Sequence, residues 1–218
     1  MNKILLIGTG YMAKEYLKIL QFMGTDFTVL GNSKKSCEAF YKETNVEAKP
    51  GSIKNIKNIK DFNFAINAAS SDQLYKINLF LIENEIKNIL CEKPGANNIE
   101  ELENLNLVLL EKKLNFFIAF NRRFYSSVNK LMELIEIDGG VESFYFDFTE
   151  WESTVLEAVK NKSILKNWFV VNSLHVVDLA FFICGSPIKI NSHVMGESFW
   201  HKPMVFSGSG ITNKDALF

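Results

Sequence analysis

Glu92, Lys93 and Pro94 follow the short apolar run Asn88-Ile89-Leu90-Cys91, so a carboxylate and an amine stand where a buried strand ends. In open α/β sheets, ligands bind outside the carboxyl ends of the strands. Near the N-terminus, Gly8-Thr9-Gly10-Tyr11-Met12-Ala13 follows a second apolar run, Lys3 to Ile7. Gly8 suits a tight bend, Gly10 lets a pyrophosphate approach the backbone, and Ala13 permits close packing of helix on strand. The amides of Tyr11 and Met12, at the start of that helix, would carry the pyrophosphate. A nucleotide cofactor and a reactive lysine sharing one crevice form the outline of a dehydrogenase. A glycine turn that binds nothing, or binds another nucleotide ligand such as S-adenosylmethionine, is the alternative. That chemistry has no use for a Glu-Lys-Pro strand end.

The second strand closes in Leu30-Gly31-Asn32-Ser33-Lys34-Lys35. An enzyme specific for NAD usually places Asp or Glu here to accept both ribose hydroxyls. This chain has neither. Asn32 and Ser33 can donate to a 2′-phosphate and Lys34 or Lys35 can neutralise it, so the residues favour NADP over NAD. Asn32 or Ser33 can equally cap the following helix, and the two roles are compatible.

These residues need a scaffold that alternates strand and helix. The pattern predicts strands over Lys3–Ile7, Asp26–Leu30, Phe64–Asn67, Asn88–Cys91 and Phe116–Phe120. It predicts helices over Tyr11–Met23, Lys35–Thr44, Asp72–Glu85 and Ile99–Lys113, with a turn at Pro50-Gly51. The fold class is therefore α/β, an N-terminal Rossmann doubly wound parallel sheet spanning 1–123. After Gly139-Gly140 the run Ser143–Glu150 shows partial two-residue alternation and predicts a strand of an open antiparallel sheet. A helix over Asn172–Cys184 and strand-like sequence from Ile188 complete an α+β domain over 124–218.

Twenty-four basic and 25 acidic residues give a net charge of −1, which argues against nucleic acid or an anionic membrane as partner. The apolar run at Met1–Ile7 breaks at Gly8, too early for an export signal, and no segment reaches the length of a membrane span. Cys37, Cys91 and Cys184 are odd in number and far apart, which suits buried thiols in a reducing cytoplasm. The three histidines have no ligand spacing, so no metal site is expected.

Four motifs in order, the glycine turn, Glu92-Lys93-Pro94, Asn121-Arg122-Arg123-Phe124 and Asn172-Ser173-Leu174-His175-Val176-Val177-Asp178, make the chain resemble the Gfo/Idh/MocA oxidoreductases. The resemblance implies interconversion of a hydroxyl and a ketone on a sugar, cyclitol or nucleotide sugar, with NADP or NAD as hydride carrier. It places Lys93 beside the reacting hydroxyl, where an amine made less basic by its surroundings takes the proton. A cis Lys93-Pro94 bond fits this turn. His175 matches the second catalytic position, as proton relay or substrate ligand, and Asp178 three residues on can share its helix face. A core histidine paired with Asp178 is the alternative.

Ser70, Glu92 and Asn121 join Gly8, Gly10, Tyr11, Met12, Asn32, Ser33 and Lys34 in the implied cofactor site. Arg122, Tyr125, Trp168, Asn172, Lys93 and His175 make up the implied substrate site. An Arg fork suits a carboxylate or phosphate, hence an acidic or nucleotide-linked sugar. Many relatives carry Asp four residues before the histidine, whereas Val171 stands here and Asn172 is left to share the contact. The Trp-rich stretch resembles a branch linked to bacterial surface-sugar synthesis, an analogy only.

Family members are longer, and their second-domain sheet commonly forms a dimer. The chain is accordingly expected to be C-terminally truncated, to expose a sheet edge and to form a homo-oligomer through that sheet. A catalytically inactive nucleotide-binding protein, acting as redox sensor or scaffold, is the alternative function.

Overall fold

The computed structural model describes residues 3–218; Met1 and Asn2, the start of the N-terminal apolar run, lie outside the described residues. The chain divides into two compact units, Met1–Ala119 and Phe120–Phe218.

In the first unit, strands β1 (Lys3–Ile7), β2 (Asp26–Gly31), β3 (Ala48–Pro50), β4 (Phe64–Asn67), β5 (Asn88–Cys91) and β6 (Asn115–Ile118) alternate with helices α1 (Tyr11–Phe22), α2 (Lys34–Thr44), α3 (Ser71–Glu83) and α4 (Ile99–Lys112). The sheet order is β3-β2-β1-β4-β5-β6, and every neighbouring pair is parallel. This is the Rossmann order, with the strand sequence reversing direction beside β1. Along β1, alternate residues enter opposite layers: Leu5 and Ile7 pack with Leu81, Ile82 and Leu105, whereas Leu6 packs with Ala13, Leu17 and Phe40. Burial on both faces explains why β1 reads as an unbroken apolar run. Each such Leu or Ile contributes about 1.5–3 kcal/mol by leaving water.

The short edge strand β3 was not foreseen; Pro50 closes it, as suits an edge where one N–H is dispensable. Strand β6 stops at Ile118, two residues before the expected Phe120.

The second unit holds α5 (Ser126–Asp138), α6 (Glu152–Ala158), α7 (Lys162–Lys166), a π-helical turn (Phe169–Ser173), α8 (Leu174–Cys184) and an antiparallel pair, β7 (Pro187–Met195) with β8 (Val205–Thr212). The strand expected over Ser143–Glu150 does not form. The alternation is present, since Phe144, Phe146, Phe148 and Glu150 are half-buried and the residues between them exposed. Yet only an isolated bridge, Ser143 to Leu217, pairs this segment among the described residues. Its even positions are held by rings instead: Phe144 and Phe146 both pack edge-on against Phe181 of α8. Alternation records which side is buried; a ladder also needs a partner strand. Helix α5 went unread, and Gly139, at φ 95°, ends it. Ile211 and Thr212, expected to lead toward a further strand, lie within β8.

Candidate active site

The glycine turn at the end of β1 is built as a cradle. Gly8 sits at φ 116°, and a Cβ there would collide with the Ala68 carbonyl at the end of β4. Only glycine fits that position. Gly10 has an ordinary backbone, and a Cβ on it would meet nothing within 4 Å, so space is open in front of it. Helix α1 starts there with no side-chain cap and no acidic residue in its first turn, leaving the Tyr11 and Met12 end suited to an anion. Ala13 is fully buried against the sheet. The donor set and the open space fit the pyrophosphate of a dinucleotide.

At the end of β2, Gly31 packs so closely that a Cβ would strike Cys37 and Thr9. Ser33 is the N-cap of α2: its hydroxyl accepts from the Ser36 amide at 3.2 Å, and the Ser36 hydroxyl accepts from the Ser33 amide at 3.2 Å. The capping alternative is therefore realised, and Asn32 and Lys34 flank the cap as exposed residues. Ser70 precedes α3, and hydrogen bonds from Gln73 and Ser70 hold the Asp72 carboxyl below its usual range.

The Glu-Lys-Pro turn rests on a buried polar chain. Asn67 and Asn78 are fully buried. Asn67 donates to the Leu74 carbonyl at 3.1 Å and to Asn78 Oδ1 at 2.8 Å. Asn78 donates to Cys91 Sγ at 3.1 Å and to the Gly95 carbonyl at 2.9 Å. The Cys91 thiol, which burial pushes up to about 12, donates to the Glu92 carbonyl at 3.1 Å. The Glu92 amide in turn donates to the Asn67 carbonyl at 2.9 Å. Both side-chain amide hydrogens of Asn67 and of Asn78 are used, and a satisfied buried network of this kind fixes one backbone geometry. The Lys93-Pro94 bond is cis.

From above, Tyr16 on α1 donates to Glu92 Oε1 at 2.7 Å. Burial, then this hydrogen bond, raises the phenol well above its usual range, so Tyr16 stays a donor. None of Tyr16, Asn67 and Asn78 was singled out from sequence. Asn78 carried a signal nonetheless: with Leu74, Leu81 and Ile82 it falls on the inner face of α3, where an amide needs partners.

In the second unit, Asn121, Arg122 and Arg123 lie in a 3₁₀ turn, and Tyr125 opens α5. Arg123, not Arg122, makes the salt bridge: its Nε donates to Asp178 Oδ2 at 2.9 Å and a terminal nitrogen meets Oδ1. Its guanidinium also lies over the rings of Phe120 and Phe182, at 5.1 and 4.8 Å. Asp178 thus gives both oxygens to Arg123. The His175 ring stands edge-on to Phe120 at 6.3 Å. Among the described residues no carboxylate pairs with the half-buried Arg122. The Trp168 indole nitrogen is buried with no hydrogen-bond partner among them. Asn172 donates to Glu150 Oε1 at 2.9 Å, and the Ser173 hydroxyl donates to the same oxygen at 2.8 Å. A concavity of about 850 Å³ between α5 and the Lys214-Asp215 turn contains none of the expected site residues.

The chain resembles solved dehydrogenases along its whole length. A Sinorhizobium meliloti protein described as a putative myo-inositol dehydrogenase is 18% identical, with 100% of this chain and 68% of that one covered and a TM-score of 0.75. Levoglucosan dehydrogenase in complex with NADH gives 19% identity, 99% and 65% coverage and a TM-score of 0.80. The WlbA dehydrogenase from Bordetella pertussis, in complex with NADH and UDP-GlcNAcA, gives 14%, 99% and 68%, and 0.76. At these identities the likeness is one of fold, and the chain spans 65–68% of the length of these three proteins. Comparison with curated proteins gives no match. The family model described as an oxidoreductase family with an NAD-binding Rossmann fold matches residues 2–120, more than half of the chain. A cradle only glycine can form, an open helix start and a lysine turn held from two sides belong together in that light: the chain is a member of the Gfo/Idh/MocA oxidoreductase family.

Proposed function

We propose that this protein interconverts a hydroxyl and a ketone on a sugar, cyclitol or nucleotide sugar. When bound, a nicotinamide dinucleotide supplies the two-electron hydride carrier. Gly8, Gly10, Tyr11 and Met12 hold its pyrophosphate; Asn32, Ser33 and Lys34 take the adenosine ribose end; Ser70, Glu92 and Asn121 complete its site. Lys93 takes the proton from the reacting hydroxyl in oxidation and returns it in reduction. His175 relays the proton or binds the substrate, with Arg122, Tyr125, Trp168 and Asn172 as further substrate contacts.

The observation that carries this reading is the 2.7 Å bond from Tyr16 to Glu92, which ties the lysine-bearing turn to the helix whose start faces the open space at Gly10. NADP is favoured over NAD because no carboxylate follows β2. An acidic or nucleotide-linked sugar, and with it a role in surface-polysaccharide synthesis, is supported by Arg122, which pairs with no carboxylate among the described residues, and by a WlbA relative holding UDP-GlcNAcA. A homo-oligomer in the cytoplasm completes the proposal.

Calorimetric titration with NADPH and with NADH, followed by turnover of a sugar panel, tests it. Tight NADPH binding, weaker NADH binding and turnover of at least one panel sugar are expected. Binding of neither coenzyme would overturn the reading.

A further inference from the structure

Tyr16 joins two parts of the first unit, Met1–Ala119, that the chain itself keeps far apart. Its ring packs on the layer of Leu6, Ala13 and Leu17, alongside Met12 of the same helix and Leu90 of β5. Its hydroxyl donates to Glu92 Oε1 at 2.7 Å. Burial, then this bond, raises the phenol well above its usual range, so it stays a neutral donor through neutral and mildly alkaline pH.

The main chain of Glu92 is already fixed from the sheet side. Its amide donates to the Asn67 carbonyl at 2.9 Å. Its carbonyl accepts from the Cys91 thiol at 3.1 Å and from the Gly95 amide at 3.1 Å. The turn can therefore form without Tyr16. What the phenol adds is a hold on the Glu92 side chain, and so a tie between this turn and α1. Tyr16 stands five residues beyond Tyr11, about 7.5 Å along the helix axis. The start of that helix is the end that faces the open space at Gly10. Coupling between sites travels through rigid secondary elements and hydrogen bonds, and here one helix and one bond suffice.

We propose that Tyr16 is a positioning residue: through Glu92 it makes the Lys93 turn respond to the coenzyme seat, so that a dinucleotide settling on the start of α1 also steadies the turn in its working geometry. This rests on the dehydrogenase reading given above. The Asn67, Asn78 and Cys91 network keeps the turn formed in the free protein, and the Tyr16 bond links it to the coenzyme.

Two measurements on the full chain test the proposal. The first follows amide hydrogen exchange by NMR with and without NADPH. The Gly95 amide, which closes the turn onto the Glu92 carbonyl, is the reporter. In the wild type, NADPH should slow its exchange about tenfold. Tyr16→Phe keeps the ring and its packing and removes only the donor. There the Gly95 response should fall below about twofold, while NADPH still protects the amides of Tyr11 and Met12. Glu92→Ala removes the same bond from the other end and should lose the response likewise, whereas Glu92→Gln keeps an acceptor oxygen and should retain it. An equal Gly95 response in the wild type, Tyr16→Phe and Glu92→Ala overturns the coupling.

The second measurement separates positioning from stability alone. For a sugar that the wild type turns over, Tyr16→Phe should lower kcat about 10–100-fold while KM for the coenzyme moves less than about threefold. Unchanged kcat overturns the positioning role. Failure of the wild type to bind NADPH or NADH overturns the dehydrogenase reading and the coupling with it, a result distinct from coenzyme binding with an unresponsive Gly95.

Discussion

Asn78, fully buried on α3, donates to the Gly95 carbonyl at 2.9 Å, two residues beyond Lys93. Its acceptor is taken by Asn67 and its other hydrogen by Cys91. Asn78→Ala leaves the Gly95 carbonyl and one Asn67 hydrogen unpaired in the interior. Each orphan costs about 1–3 kcal/mol, so urea denaturation should show a loss of about 3 kcal/mol. Hydrogen exchange should locate the damage, with the Gly95 amide accelerated far more than the amides of β1.

The two glycines of the cradle should separate fold from binding. Gly8→Ala forces a Cβ into the Ala68 carbonyl at a positive φ and should cost about 2 kcal/mol or more. Gly10→Ala meets open space at an ordinary φ, so stability should stay within about 0.5 kcal/mol. Its methyl group occupies the approach of a pyrophosphate, and NADPH affinity should fall about tenfold or more by calorimetry.

Lys93→Ala should lower turnover of an accepted sugar by about 10²–10⁴-fold, the usual contribution of a general base. NADPH affinity should change less than about twofold, because the amine is assigned to the hydroxyl and not to the pyrophosphate. Full turnover in this variant would remove Lys93 from the mechanism.

Alkaline stability should respond to Cys91. Its thiol is raised from 9.0 to about 12 by burial, so below pH 9 it is protonated in both states and its full contribution is present. As pH rises from 9 towards 12 the unfolded thiol ionises first, and stability falls by up to about 1.4 kcal/mol per pH unit. Cys91→Ala should flatten the slope between pH 9 and 10 in urea titrations at stepped pH. Cys184, also raised by burial, keeps part of it. Above pH 10 Tyr16 adds a loss of the same sign, because its phenol too is raised in the folded state.

The first unit was legible because parallel strands buried on both faces are continuous apolar runs, and because Gly8 reports a backbone demand and Ala13 a packing demand directly. What sequence did not yield was pairing across distance. Tyr16 and Glu92 are 76 positions apart, and nothing local in either residue points to the other. In the second unit, Ser143–Glu150 had the burial pattern of a strand without the partner that makes one, and Arg123 rather than Arg122 proved to be the ion-paired arginine. Period reveals sidedness; it does not reveal what lies on that side.

The Ser33 cap has a consequence for how coenzyme preference can change. Aspartate caps a helix as well as serine does, and it also offers the carboxylate that a ribose diol requires. Helix α2 would start unaltered with either residue. If Ser33 meets the ribose end as proposed, exchange at this one position should shift coenzyme preference without unsettling the sheet, so preference could drift in a lineage independently of fold.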